Sequence, residues 1–297
     1  MPIKTKMILL SLMVLTMILF THCSNNSEPE EKTWQIIWQD EFVGPQGQSP
    51  DSTRWTYDTW GNDSGWGNNQ LEFNSNRPEN VSLDSVGHLA IVAREESYEG
   101  LNYTSARIKT QGLFEATFGR FEARIKLPWG QGLWPAFWML GNDIDTVSWP
   151  QCGEIDIMEY RGQEPSHIEG TLHGPGYSGG KGIGTTYTLT NARFDTEFHT
   201  FAVEWNSDSI NWYVDDEHFQ TLRSSDVTGD WVYDHPFFIL LNLAVGGNWV
   251  GPPNENTIFP QTMLVDYVRV YQEVEKTLKQ SPYRKSLLQL VKKEPCA

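Results

Sequence analysis

The chain has 297 residues, 13% of them aromatic, and a formal charge of −16. That length fits one large domain with a sizeable core, or two small ones, and the acidity argues against nucleic acid and anionic lipid surfaces as partners. Its three cysteines, Cys23, Cys152 and Cys296, make neither a disulfide framework nor a metal-ligand cluster.

The first element is a leader. Lys4 and Lys6 precede an uncharged run from Met7 to Phe20 that is too short for an ordinary membrane span, so residues 1–22 read as a signal peptide. Cys23 follows directly, which favours lipidation after cleavage, as in bacterial lipoproteins. Ordinary secretion and an uncleaved anchor are the alternatives, and His22 stands where a small residue is usual. Loss of residues 1–22 removes two lysines and takes the formal charge from −16 to −18. Residues 23–33 are polar and charge-rich and read as a tether. The expected location is outside the cytoplasm: the outer face of a bacterial membrane through a lipid anchor, otherwise the medium.

From 34 to 272 the chain reads as strands. In GRFEARIKL (119–127), Phe121, Ala123, Ile125 and Leu127 alternate with Arg120, Glu122, Arg124 and Lys126. HTFAVEW (199–205), INWYVD (210–215) and MLVDYVRVYQ (263–272) behave alike, and FFILLNLAV (237–245) reads as a central strand covered on both faces. Asp215 and Asp216 mark a hairpin between INWYV and HFQTL. Trp205 and Trp212 are expected in the core, as is Cys152. The pattern predicts an all-β sandwich. The basic tail, 273–297, reads as a docking helix or a disordered end.

GEIDIMEY (153–160) carries Glu154, Asp156 and Glu159. Glu154 and Asp156 share a strand face, and Ile155 and Ile157 take the other. Met158 breaks the phase. A β-bulge there would return Glu159 to the acidic face and line up three carboxylates. Crowded like charges cost free energy and push pKa values apart. One use is cleavage of a glycosidic bond by a retaining pair, with Asp156 tuning Glu154. A calcium site and a solvated strand face are the competing readings. Trp134, Trp138 and Trp149 lie just upstream, and sugar rings stack on aromatic faces.

These stretches resemble glycoside hydrolase family 16. GEIDIMEY resembles its E-x-D-x-x-E signature. WQDEF (38–42), WGNNQLEF (66–73), SARIKTQG (105–112), GRFEARIKLPWGQGLWPAFWMLG (119–141), TLHGP (171–175), NLAVGGNW (242–249) and VDYVRVYQ (265–272) look like its laminarinase-type endo-β-1,3-glucanases. The resemblance covers residues 34–272. It implies a β-jelly-roll sandwich of two curved antiparallel sheets with a concave cleft, and hydrolysis with retention. Glu154 then resembles the nucleophile, Glu159 the acid/base and Asp156 the auxiliary acid. Trp134, Trp138 and Trp149 resemble stacking residues, and His173 a cleft histidine near the acid/base. Asn69 and Arg107 resemble substrate-binding positions, with Asn248 on the opposite rim. The family also implies a structural calcium at Asp266, with Glu41 and the Gly87 carbonyl, and no cofactor for catalysis. The partner is a β-glucan, and a monomer is expected. Gln70 departs from the glutamate common at its position. Within the enzyme class, mixed-linkage β-1,3-1,4-glucan and marine galactans are the alternative substrates, and transglycosylation shares the first step. Outside it, a non-catalytic β-glucan-binding module and a calcium-dependent adhesion domain remain.

Overall fold

Phe121, Ala123, Ile125 and Leu127 do turn into one core, and the other alternating runs, all in the same sheet, join it there. The computed structural model describes residues 32–60 and 64–274. The signal peptide, Cys23, Cys296 and nearly all of the basic tail lie outside the described residues.

One sheet has ten strands. Its main path runs Glu217–Arg223, Ser209–Val214, His199–Trp205, Gly119–Lys126, Gln261–Val274, Leu89–Tyr98, Leu101–Ser105 and Glu72–Asn74. Thr33–Asp40 pairs with Gln261–Val274, and Val81–Leu83 pairs with Leu89–Tyr98. The second sheet has seven strands, in the order Ile183–Thr188, His167–His173, Glu154–Glu159, Leu133–Gly141, Phe237–Val245, Arg107–Lys109 and Thr56–Tyr57. Its pairs are antiparallel. The result is a β-jelly-roll sandwich, because each sheet can bury its apolar face only against the other.

Local chemistry explains several joints. Asp215 and Asp216 both have positive φ, 49° and 65°, the conformation a two-residue hairpin requires. Trp205 and Trp212 are buried, each with its indole N–H on a carbonyl, Tyr233 and Asp156 respectively. The FFILLNLAV strand is buried along its whole length. Phe237, Ile239, Leu241, Leu243 and Val245 enter the main core. Phe238 and Leu240 point the other way and are covered by Leu140 and Cys152 in a small second cluster.

The polar face of GRFEARIKL is less solvated than its alternation suggests. Arg120 and Glu122 are buried together, the Arg120 guanidinium donating to Glu122, Glu204 and Asp216. A cation shared among three acids keeps hydrogen bonds that burial would otherwise strip away.

Candidate active site

Ile155, Ile157 and Met158 are all buried in the core, two of them consecutive. The register shows how. Asp156 pairs with Trp138 and Met158 with Phe137, so the strand takes one extra residue between them. Burying each apolar side chain contributes roughly 1.5–3 kcal/mol, and the bulge lets both Ile157 and Met158 collect it. Without it, Glu159 would point into the core unpaired, at a far larger cost. With it, Glu154, Asp156 and Glu159 line the same cleft of about 1010 Å³.

Glu154 and Glu159 each receive an indole. Trp149 donates Nε1–H to Glu154 Oε2 at 2.5 Å, and Trp134 donates to Glu159 Oε1 at 3.1 Å. Asp156 lies between them, almost fully buried, with its Oδ2 3.2 Å from His173 Nε2. Burial, then the charge of Asp156, pushes Glu154 up to about 8. Burial pushes Asp156 up to about 7. Burial and the neighbouring charge of Asp156 hold Glu159 well above the usual carboxylate range. The cluster therefore retains a proton at neutral pH, as a general acid must. The indole on Glu154 is the closer of the two and favours ionisation there, which leaves the proton to Glu159.

Trp134, Trp138, Trp149, His173, Arg107 and Asn248 all line the cleft. Trp138 is held by its indole N–H on Asn242 at 2.8 Å. Arg107 sits between the rings of Trp66 and Trp138, 4.4 and 4.7 Å from their centroids, and pairs with Asp58 at 2.9 Å. One expectation needs correction. Asn248 is not on a rim opposite Asn69: the Asn69 amide donates to it at 2.8 Å, so both share one rim. His173 lies in the cleft and its charge acts on Glu159, while strand pairing sets it opposite Glu154 and against Asp156.

The residues expected to hold calcium are engaged otherwise. Both Glu41 oxygens accept from the Arg269 guanidinium, at 2.7 and 2.9 Å, and Asp266 pairs with Arg124 at 2.6 Å. Gly87 occupies a turn at positive φ, 95°. Cys152 is a buried free thiol, pushed up to about 12 chiefly by burial, and so is no nucleophile.

Several cleft residues escaped the sequence reading. Trp66 and Trp249 line the cleft from within WGNNQLEF and NLAVGGNW, where no local pattern distinguishes them from core tryptophans. Asn242 was legible as the one polar residue in an apolar strand. Gly182 was not: its importance is spatial, since a Cβ there would stand 2.3 Å from His173 Cε1. Glu72 is fully buried, accepts the Val245 N–H at 2.8 Å, and is pushed up to about 7 by burial.

Residues 58–269 match the family model described as glycosyl hydrolases family 16. A beta-glucanase of Rhodothermus marinus is 42% identical over 254 residues, covering 82% of this chain and 86% of the relative. Among solved structures, the endo-beta-1,3-glucanase of Pyrococcus furiosus is 46% identical with a TM-score of 0.78, covering 82% of this chain and 96% of its own. The laminarinase catalytic domain of Thermotoga maritima is 45% identical with a TM-score of 0.77, covering 82% and 99%.

Proposed function

The chain belongs to glycosyl hydrolases family 16, and on that footing we propose that it is an endo-acting hydrolase of β-1,3-glucan that works by double displacement with retention. The observation that carries the mechanism is the bulge that aligns Glu154, Asp156 and Glu159 and gives each glutamate an indole donor. Relatives named for β-1,3-glucan cleavage support the substrate.

A glucan chain lies along the cleft and stacks on Trp138 and its neighbours. Glu159 donates its proton to the glycosidic oxygen as the bond to the leaving sugar breaks. Glu154 attacks the anomeric carbon and forms a glycosyl-enzyme ester. Glu159, now ionised, takes a proton from water, which attacks the same carbon and releases Glu154. Two inversions give net retention. General acid–base help of this kind contributes about 10²–10⁴-fold. Asp156 shares a proton with Glu154, and His173 stands 3.2 Å from its other oxygen.

The test is a substrate panel of laminarin, curdlan, mixed-linkage glucan, agarose and carrageenan, followed by product size and by the anomer formed first. Short oligosaccharides released fastest from laminarin, initially as the β-anomer, are expected. Preference for mixed-linkage glucan or a galactan would overturn the substrate. Retention on laminarin without cleavage would make the chain a binding module.

Three smaller proposals rest on sequence alone. Cys23 carries a lipid anchor, which mass spectrometry of membrane-extracted protein tests. Asp266, with Glu41 and the Gly87 carbonyl, holds a structural calcium, oxygen ligands being suited to it; melting with and without chelator tests that. The chain is a monomer, which sedimentation tests.

A further inference from the structure

We infer that Glu154, Asp156 and His173 form a binding site for a divalent cation of intermediate softness, with Zn²⁺ as the type, whose occupancy shuts the active site. The inference that occupancy blocks hydrolysis rests on the function proposed above; the binding itself does not.

Strand pairing builds the donor set. Glu154 faces His173 across the antiparallel ladder, and Asp156 follows two residues on, beside Thr171. One ligand atom from each of the three lies within 4.8 Å of the others. The Asp156 side chain is 2% exposed, and its Oδ2 receives no hydrogen bond, although His173 Nε2 is 3.2 Å away. An oxygen that is buried, anionic and without a hydrogen-bond donor is costly, and a cation offsets that cost. The site also opens onto the cleft, so an ion has a route in and a water has room beside it.

The donors select the ion. Two carboxylate oxygens and one imidazole nitrogen match zinc, which binds such ligands at about 2.0–2.2 Å and takes four in tetrahedral array. Three protein ligands leave the fourth position for water. Calcium wants six to eight oxygens, and magnesium dehydrates reluctantly, so neither suits a three-donor set containing nitrogen. Imidazole as a ligand distinguishes zinc from the harder ions. Binding needs ionised carboxylates and a neutral imidazole, so it displaces protons from the cluster and tightens as pH rises. An ion on Glu154 occupies the attacking oxygen and competes with glucan for the same space.

The experiment is calorimetric titration of the full chain with zinc chloride, then calcium chloride, at pH 7 in two buffers of different ionisation enthalpy. One saturable zinc event with proton release is expected, and calcium bound elsewhere on the chain, as at Asp266, is expected to leave that event unchanged. His173→Gln and Asp156→Asn are each expected to weaken zinc on the order of 10–100-fold, the loss seen when even an outer partner of a metal ligand is removed, while melting as cooperatively as the parent. Zinc inhibition of laminarin hydrolysis is expected to be overcome by substrate. Absence of saturable zinc binding overturns the site. So does unchanged affinity in both variants, or inhibition independent of glucan concentration. The titration needs no substrate, so it still reports the site if the chain proves not to be a hydrolase.

Discussion

Trp149 and Glu154 are joined by a 2.5 Å hydrogen bond from an indole that is itself 44% exposed at the mouth of the cleft. A single side chain therefore presents an exposed ring face to the cleft and an N–H to Glu154, the nucleophile of the proposed mechanism. Trp149→Phe keeps the ring and removes the donor. A hydrogen bond to a charged group is worth about 1.5–3 kcal/mol, so kcat/KM is expected to fall roughly 10- to 100-fold. The donor favours the ionised carboxylate, so its loss raises the Glu154 pKa. Since the nucleophile must be ionised, the acidic limb of the pH profile moves to higher pH. Measuring kcat/KM between pH 4 and 10 checks both effects; an unmoved limb would refute the donor's role.

Glu159→Gln is expected to lower kcat about 10²–10⁴-fold, and Glu154→Gln at least as much, with circular dichroism unchanged. The two variants separate by leaving group. A substrate with a good leaving group, such as an aryl glycoside, recovers the first chemical step in Glu159→Gln, which then accumulates glycosyl-enzyme. Glu154→Gln recovers nothing, because the attacking oxygen is gone.

The crowded carboxylates destabilise the fold they occupy. Glu154 and Asp156 are pushed up to about 8 and about 7, both chiefly by burial. A carboxyl whose folded pKa is raised keeps its proton in the native state after the unfolded chain has lost it. Stability then falls as pH rises from the ordinary carboxylate range through about 7–8. Asp156→Asn is therefore expected to melt higher than the parent at pH 8, by about 2–4 °C for each kcal/mol relieved, with the gain shrinking at pH 5. A lower melting temperature at pH 8 would refute the strain.

Glu72 offers the same test away from the chemistry. It is buried, lies outside the reacting triplet, and is pushed up to about 7 by burial against the Val245 N–H that it accepts. Glu72→Gln preserves an acceptor for that N–H and removes the titration. Its stability is expected to vary less between pH 5 and 8 than the parent's, in thermal or urea denaturation.

Gly182→Ala tests a contact that no motif announces. A Cβ there would lie 2.3 Å from His173 Cε1 and 2.8 Å from Thr171 Cγ2. The glycine has φ −51°, so backbone strain is not the issue. The expected result is a displaced imidazole, a kcat lowered by about tenfold, the size of effect a roughly 1.4 kcal/mol disturbance gives, and near-parental melting. Parental kcat would show that His173 has room to move without consequence.

The sequence by itself determined the class of fold, because alternation of apolar and polar residues fixes which face of each strand is buried. It also placed the chemistry: Met158 breaks the alternation of GEIDIMEY, and the structure resolves that break as the expected bulge, with Ile157 and Met158 both in the core. What it could not determine was which distant residues meet there. His173 against Asp156, Asn242 under Trp138 and Gly182 beneath His173 depend on strand order and register across the seven-stranded sheet, and Asn248 beside Asn69 on where two loops meet at its end. Periodicity reports the face a side chain takes. It carries no information about its neighbour on the next strand, which only the closing of the sandwich decides.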